Sequence, residues 1–161
     1  MKSVKDVMTR GVRTLSPQDS MVLAAQAMEE LDIGALPVCD GTRIVGMVTD
    51  RDIVLRGVAQ ELSLKRTHLK DVMSTAVECV FEDEALETVT ARMQQLQIRR
   101  LPVLDRENRL VGILSLGDLA AKGDVDQAGA ALADISEPAR PTRSAQSHAS
   151  GPAGGGETRS P

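Results

Sequence analysis

Apolar positions along the chain alternate between two spacings. Met21, Ala24, Ala25, Met28 and Leu31 recur at helical intervals, and so do Leu86, Val89, Met93 and Leu96. Each set predicts an amphipathic helix with one buried stripe. Two compact apolar runs follow each helix: "ALPVCD" and "RIVGMVT" after the first, "RRLPVLD" and "RLVGILS" after the second. The polar Asp40-Gly41 step between the first two predicts a tight turn joining antiparallel strands. A short β-rich piece precedes each helix, "GVRTL" and then "AVECVF". A short second helix closes each set, "DRDIVLRGVA" and then "LGDLAAK". The predicted order is β-α-β-β-α, twice.

The two sets are copies. The run starting at Val4 aligns without a gap on the run starting at Leu69, an offset of 65 (69 − 4). Lys5-Asp6-Val7-Met8 meets Lys70-Asp71-Val72-Met73. Met28, Leu31, Ile33, Leu36, Pro37 and Val38 meet Met93, Leu96, Ile98, Leu101, Pro102 and Val103. One extra residue enters the second copy at the turn after Asp105, where an insertion is tolerated. A unit of this size buries too little surface alone to be more than marginal. The halves are therefore expected to pack sheet to sheet about a pseudo-twofold axis, an α+β layered fold. The divisions read from the pattern are repeat 1 over 3–58, a polar linker over 59–68, repeat 2 over 69–122 and a tail over 123–161. The tail is rich in Ala, Gly, Ser and Pro, and such a composition predicts disorder.

Composition narrows the function. Apolar residues make up 42% of 161 residues, but Phe81 is the single aromatic, so the core must be aliphatic. A formal charge of −4 argues against nucleic-acid binding, which needs a basic face. No apolar run is long enough for a membrane span. The opening "MKSVKDVMTR" lacks an apolar signal core, and a cytoplasmic protein is expected. Cys39 and Cys79 form no zinc pattern and read as small core or strand-end residues. His68 in the linker reads as solvated, and His148 in the tail has no partner in the pattern. No nucleophile–base set, phosphate loop or metal-ligand spacing is present, and no enzymatic activity is expected.

Two equivalent stretches carry the candidate chemistry, "GMVTDRD" and "GILSLGD". Thr49 and Asp52, and Ser115 and Asp118, have the hydroxyl-x-x-acid spacing of a capping box. Capping alone accounts for both pairs. The same spacing also presents a carboxylate at a strand end, where it can meet a ligand hydroxyl.

The "KDVM" openings, the "LPV" strands, the "G-h-h-T/S-x-x-D" endings and the tandem duplication resemble the cystathionine-β-synthase (CBS) domain pair, over about residues 3–122. The resemblance implies two clefts between the repeats for an adenosyl ligand: AMP, ADP, ATP or an S-adenosylmethionine-like compound. It implies no required cofactor, a disc-like homodimer and regulation of a separate effector protein. Carried over by position, one cleft would hold Thr14, Arg99, Arg100, Leu101, Pro102, Ser115 and Asp118. There Asp118 would take the ribose hydroxyls and an arginine the phosphates. The other would hold Ala35, Leu36, Pro37, Thr49, Asp52 and Cys79. Gly34 and Ala35 stand there in place of Arg99 and Arg100, with Arg51 or Arg56 as substitutes. The alternative is an interaction scaffold that binds no nucleotide.

Overall fold

The computed structural model describes residues 2–122. The expectation for the tail lies outside the described residues. Repeat 1 consists of α1 (Met21–Leu31), β1 (Ala35–Asp40), β2 (Arg43–Thr49) and α2. The last opens as one α-turn over Asp50–Asp52 and continues as a π-helical stretch over Ile53–Val58. Repeat 2 consists of β3 (Val80–Phe81), α3 (Leu86–Leu96), β4 (Arg100–Leu104), β5 (Leu110–Ser115) and α4 (Leu116–Lys122).

Local chemistry sets the boundaries. Ser20 caps α1 by accepting from the Leu23 amide at 3.1 Å, which satisfies one of the free donors of the first turn. Both long helices stop at a left-handed residue, Asp32 (φ 53°) and Gln97 (φ 55°), at equivalent positions. The β1–β2 and β4–β5 hairpins each carry a register shift at the same place, Val38/Cys39 and Val103/Leu104. The helical stripes are as expected apart from their edges. In α1 the buried set is Met21, Ala24, Ala27 and Met28, with Ala25 exposed. Leu31 and Leu96 are each 42% exposed. The first strand of repeat 1 shrinks to one parallel bridge, Leu15 to Val38. In repeat 2 it reaches two residues, paired in parallel with β4. Arg13 and Thr14 face outward before Leu15 turns in, so little of "GVRTL" can join a ladder.

The repeats exchange their opening segments. Val4, Val7 and Met8 lie in one core with Val89, Met93, Leu101, Val103 and Leu114 of repeat 2. Leu69 and Val72 lie in the other with Met21, Leu36, Val38 and Val48 of repeat 1. Backbone bonds repeat the exchange. The Val4 amide donates to the Glu84 carbonyl at 3.1 Å, and the Leu69 amide to the Asp19 carbonyl at 2.9 Å. Thr9 pairs with Ile113 and Ser74 with Met47 as isolated antiparallel bridges. At those crossings the strand opposite is glycine. A Cβ on Gly112 would stand 2.7 Å from the Thr9 carbonyl oxygen, and one on Gly46 would stand 2.8 Å from that of Ser74.

Repeat 2 also carries a buried carboxylate at its hairpin turn. Asp105 is 7% exposed. It accepts from the Arg109 amide at 2.9 Å, the Arg109 Nε at 2.8 Å and the Glu107 amide at 3.0 Å. The Arg109 amide above all, then the Arg109 side chain and the Glu107 amide, hold its pKa below the ordinary carboxylate value. A carboxylate lowered in the native state contributes stability that is fully present above its unfolded pKa of about 4 and is lost as pH falls through the native value. The urea midpoint is therefore expected to hold from neutral pH to about 5 and to fall below about 4. Asp105→Asn should lower the neutral plateau and reduce the acid slope. An acid slope unchanged in that variant would remove Asp105 as its source.

A candidate ligand cavity at the repeat interface

A cluster of polar groups faces open space where α4 begins. Asp118 and Ser115 form the capping box foreseen from their spacing. The Ser115 amide donates to Asp118 Oδ2 at 3.0 Å, and the Asp118 amide donates to Ser115 Oγ at 3.1 Å. The exchanged opening segment adds a third partner, since Thr9 Oγ1 donates to Asp118 Oδ1 at 2.8 Å. Asp118 is half-buried and edges a cavity of about 170 Å³. Val12, Ile33, Ala35, Pro37, Met47 and Ile113 give it apolar walls; Thr9, Ser115, Asp118 and Arg100 give it polar corners. Arg100 is exposed, and its side chain makes no hydrogen bond or ion pair among the described residues.

The pseudo-equivalent position is built differently. The Thr49 amide donates to Asp52 Oδ2 at 3.0 Å, so the same cap is present. Asp52 is only 8% exposed. Arg56 closes over it, with Nε 3.8 Å from Asp52 Oδ1, and donates from Nη1 to the Met73 carbonyl at 3.2 Å. Lys122 stands at the equivalent position in repeat 2, and no ion pair joins it to Asp118 among the described residues. A second cavity, of about 180 Å³, is lined by Ser74, Val77, Glu78, Ile98, Arg100 and Pro102 among others; neither Thr49 nor Asp52 lines it.

The family model for the CBS domain matches this chain twice, over residues 4–58 and 69–123. The chain belongs to the CBS-domain family, as a tandem pair. The match to the CBS domain-containing protein YhcV of Bacillus subtilis is 44% identical over 137 residues, covering 84% of this chain and 96% of that protein. The CBS pair is also similar to CBSX2, solved in complex with AMP, with 27% identity and a TM-score of 0.66 over 75% of this chain and 95% of that one. The CBS domain pair of MJ0100, solved with 5′-methylthioadenosine and S-adenosyl-L-methionine, matches at 28% identity and a TM-score of 0.64, over 75% of this chain and 94% of that one. No helix among the described residues is long and apolar enough to cross a membrane.

Within this CBS pair the sequence-derived clefts are regrouped. Ser115, Asp118 and Arg100 do meet, but their apolar wall comes from Ala35 and Pro37, which had been assigned to the other cleft. Leu101 and Pro102 line the second cavity instead. Thr14 lines a third, of about 220 Å³, beside Cys39 and Leu110. Leu36 is fully buried in the repeat 1 core. Arg99 and Cys79 line none of these three cavities. Arg56, expected as a phosphate contact, is held by Asp52 and backbone carbonyls. His68 is exposed but docked, its Nδ1 2.6 Å from the Gln18 carbonyl oxygen. Burial raises the pKa of both Cys39 and Cys79, so neither carries the lowered pKa of a reactive thiolate.

The regrouping has one cause. Because the opening segments are exchanged, Thr9 bridges to Ile113 and bonds Asp118, and Val12 lines the same cavity. The "LPV" strand across from Asp118 is then that of repeat 1. Thr9 and Ile33 were not foreseen as lining residues. A signal existed: Thr9 and Ser74 are hydroxyl residues directly after "KDVM" in both copies.

Proposed function

We propose that this CBS pair is a regulatory module that binds an adenosyl ligand in the cavity edged by Asp118 and thereby alters a separate effector protein. One observation carries the reading: a half-buried carboxylate stands with an unpaired arginine in a cavity whose remaining walls are apolar. An ionised carboxylate has about four acceptor sites. Asp118 uses three for Ser115 and Thr9, which leaves capacity for a ribose hydroxyl. Arg100 suits a phosphate through a charge-assisted contact. The flat adenine would lie against Val12, Ile33, Pro37 and Ile113. The AMP and adenosyl complexes of CBSX2 and MJ0100 support the ligand class. Regulation would follow from differential affinity, the ligand favouring whichever arrangement of the pair binds it better. No catalytic step is assigned to the chain.

With no Trp or Tyr, the chain absorbs little near 280 nm, so co-purified adenine would dominate its spectrum near 260 nm. AMP at about 100 times its dissociation constant should raise the melting temperature by roughly 10 °C. If AMP, ATP, adenosine and S-adenosylmethionine all leave melting unchanged and the 260-nm band is absent, the ligand-binding reading fails. The scaffold reading, favoured by the Thr9–Asp118 bond as a purely internal partner, then stands.

A further inference from the structure

Arg100 lines both interface cavities. It opens β4 opposite Ser115, and its pseudo-equivalent, Ala35, pairs in the same register with Thr49. The interface thus has one guanidinium where twofold symmetry would give two. Glu78, at the position equivalent to Arg13, adds a negative charge to the second cavity. Arg10 and Arg13, the other arginines of the crossing segment, are engaged with Glu82 at 3.9 Å and Glu30 at 3.1 Å. Arg100 has no partner among the described residues to fix it on either side.

The geometry points to Arg100 as a single anion anchor shared by two neighbouring cavities, so that a phosphorylated ligand gains from its phosphate in one cavity at a time. This rests on the adenosyl-binding reading above and adds a rule for occupancy. A guanidinium turned toward a phosphate in the Asp118 cavity is withdrawn from the second cavity. There a second phosphate would meet Glu78 without a counter-charge, and like charges at close range repel. An unphosphorylated nucleoside makes no demand on Arg100, so its two binding steps are not coupled through this residue. The pair would thereby report phosphorylated against unphosphorylated adenosyl compounds by stoichiometry as well as by affinity.

The test is calorimetric titration of the full chain with adenosine and with AMP, resolving two steps for each. The quantity read is the phosphate advantage, the ratio of the adenosine to the AMP dissociation constant at each step. Intrinsic differences between the cavities, such as the Asp118 carboxylate that lines only the first, act on both ligands and leave this ratio. The expected advantage is about tenfold or more at the first step and near one, or below it, at the second, within the usual range of coupling between sites. Arg100→Ala should reduce the first-step advantage to about one. Glu78→Arg, which gives the second cavity a guanidinium of its own, should create an advantage at the second step. An equal advantage at both steps of the native chain, or one that survives Arg100→Ala, overturns the shared anchor while leaving adenosyl binding intact. A single adenosine per chain overturns it too. If neither adenosine nor AMP binds, the ligand-binding reading and this inference fall together.

Discussion

Gly112→Val is expected to destabilise the protein by about 3 kcal/mol, the upper end of the cost of overpacking a filled interior. The cause is local and backbone-limited. A Cβ at this position would lie 2.7 Å from the Thr9 carbonyl oxygen and 2.9 Å from Met8 Sδ. The methionine sulfur can give way, but the carbonyl cannot without breaking the bridge it belongs to. The Thr9 amide donates to the Ile113 carbonyl at 2.9 Å and the Ile113 amide to the Thr9 carbonyl at 3.0 Å. Displacing this bridge also pulls Val4, Val7 and Met8 out of the repeat 2 core. Gly46→Val should behave alike, since its Cβ would meet the Ser74 carbonyl oxygen at 2.8 Å. Gly117→Ala is the control. Its Cβ would meet Ser115 Oγ at an ordinary 3.5 Å, and alanine is favoured over glycine in a helix by about 0.5–1 kcal/mol. Urea midpoints measure all three. A Gly112→Val protein within about 0.5 kcal/mol of the parent, the range of a neutral surface change, would mean that the opening segment does not cross there.

Asp118→Asn is expected to separate ligand binding from folding. The amide keeps the shape and the cap acceptor but loses the charge. Hydrogen bonds to a charged group contribute about 1.5–3 kcal/mol, so AMP affinity should fall by roughly ten- to a hundredfold. Stability without ligand should change by no more than about 1 kcal/mol, the ordinary worth of a cap. Asp52→Asn should show the reverse profile. It removes the charge that Arg56 covers and should lower stability while leaving AMP affinity within about twofold, a range that independent sites allow. Thermal melting with and without AMP reads both. Equal ligand response in the Asp118→Asn protein would take that residue out of the site and leave its capping bonds as its role.

The contrast between these aspartates shows what sequence carried and what it did not. The duplication, the helical stripes and the two capping boxes follow from spacing alone, because spacing fixes which residues share a face and which hydroxyl reaches which amide. The exchange of opening segments does not follow. "KDVM" occurs in both copies, and its apolar residues fit either core equally well by type. Periodicity says that Val4 and Leu69 are buried without saying under which sheet. Without the exchange, Ala35 and Pro37 are placed across from Asp52 instead of Asp118, and Leu101 and Pro102 are placed beside Asp118 instead of in the second cavity. Arg56 misled for a related reason. A charge near a strand end looks available to a ligand until Asp52 and the Val72 and Met73 carbonyls are found beneath it.

The exchanged segments also set an order of events during synthesis. Val4, Val7 and Met8 are made well before the rest of the core that shelters them, which includes Leu114 and Leu119. At about 5–20 residues per second, these apolar side chains wait roughly 5–20 s for their partners to be made. The nascent repeat 1 can finish its own core only when Leu69 and Val72 arrive, and repeat 2 finishes by reaching back to the segment ahead of α1. A ribosome stalled between the repeats would therefore hold a chain whose opening segment still lacks its apolar partners.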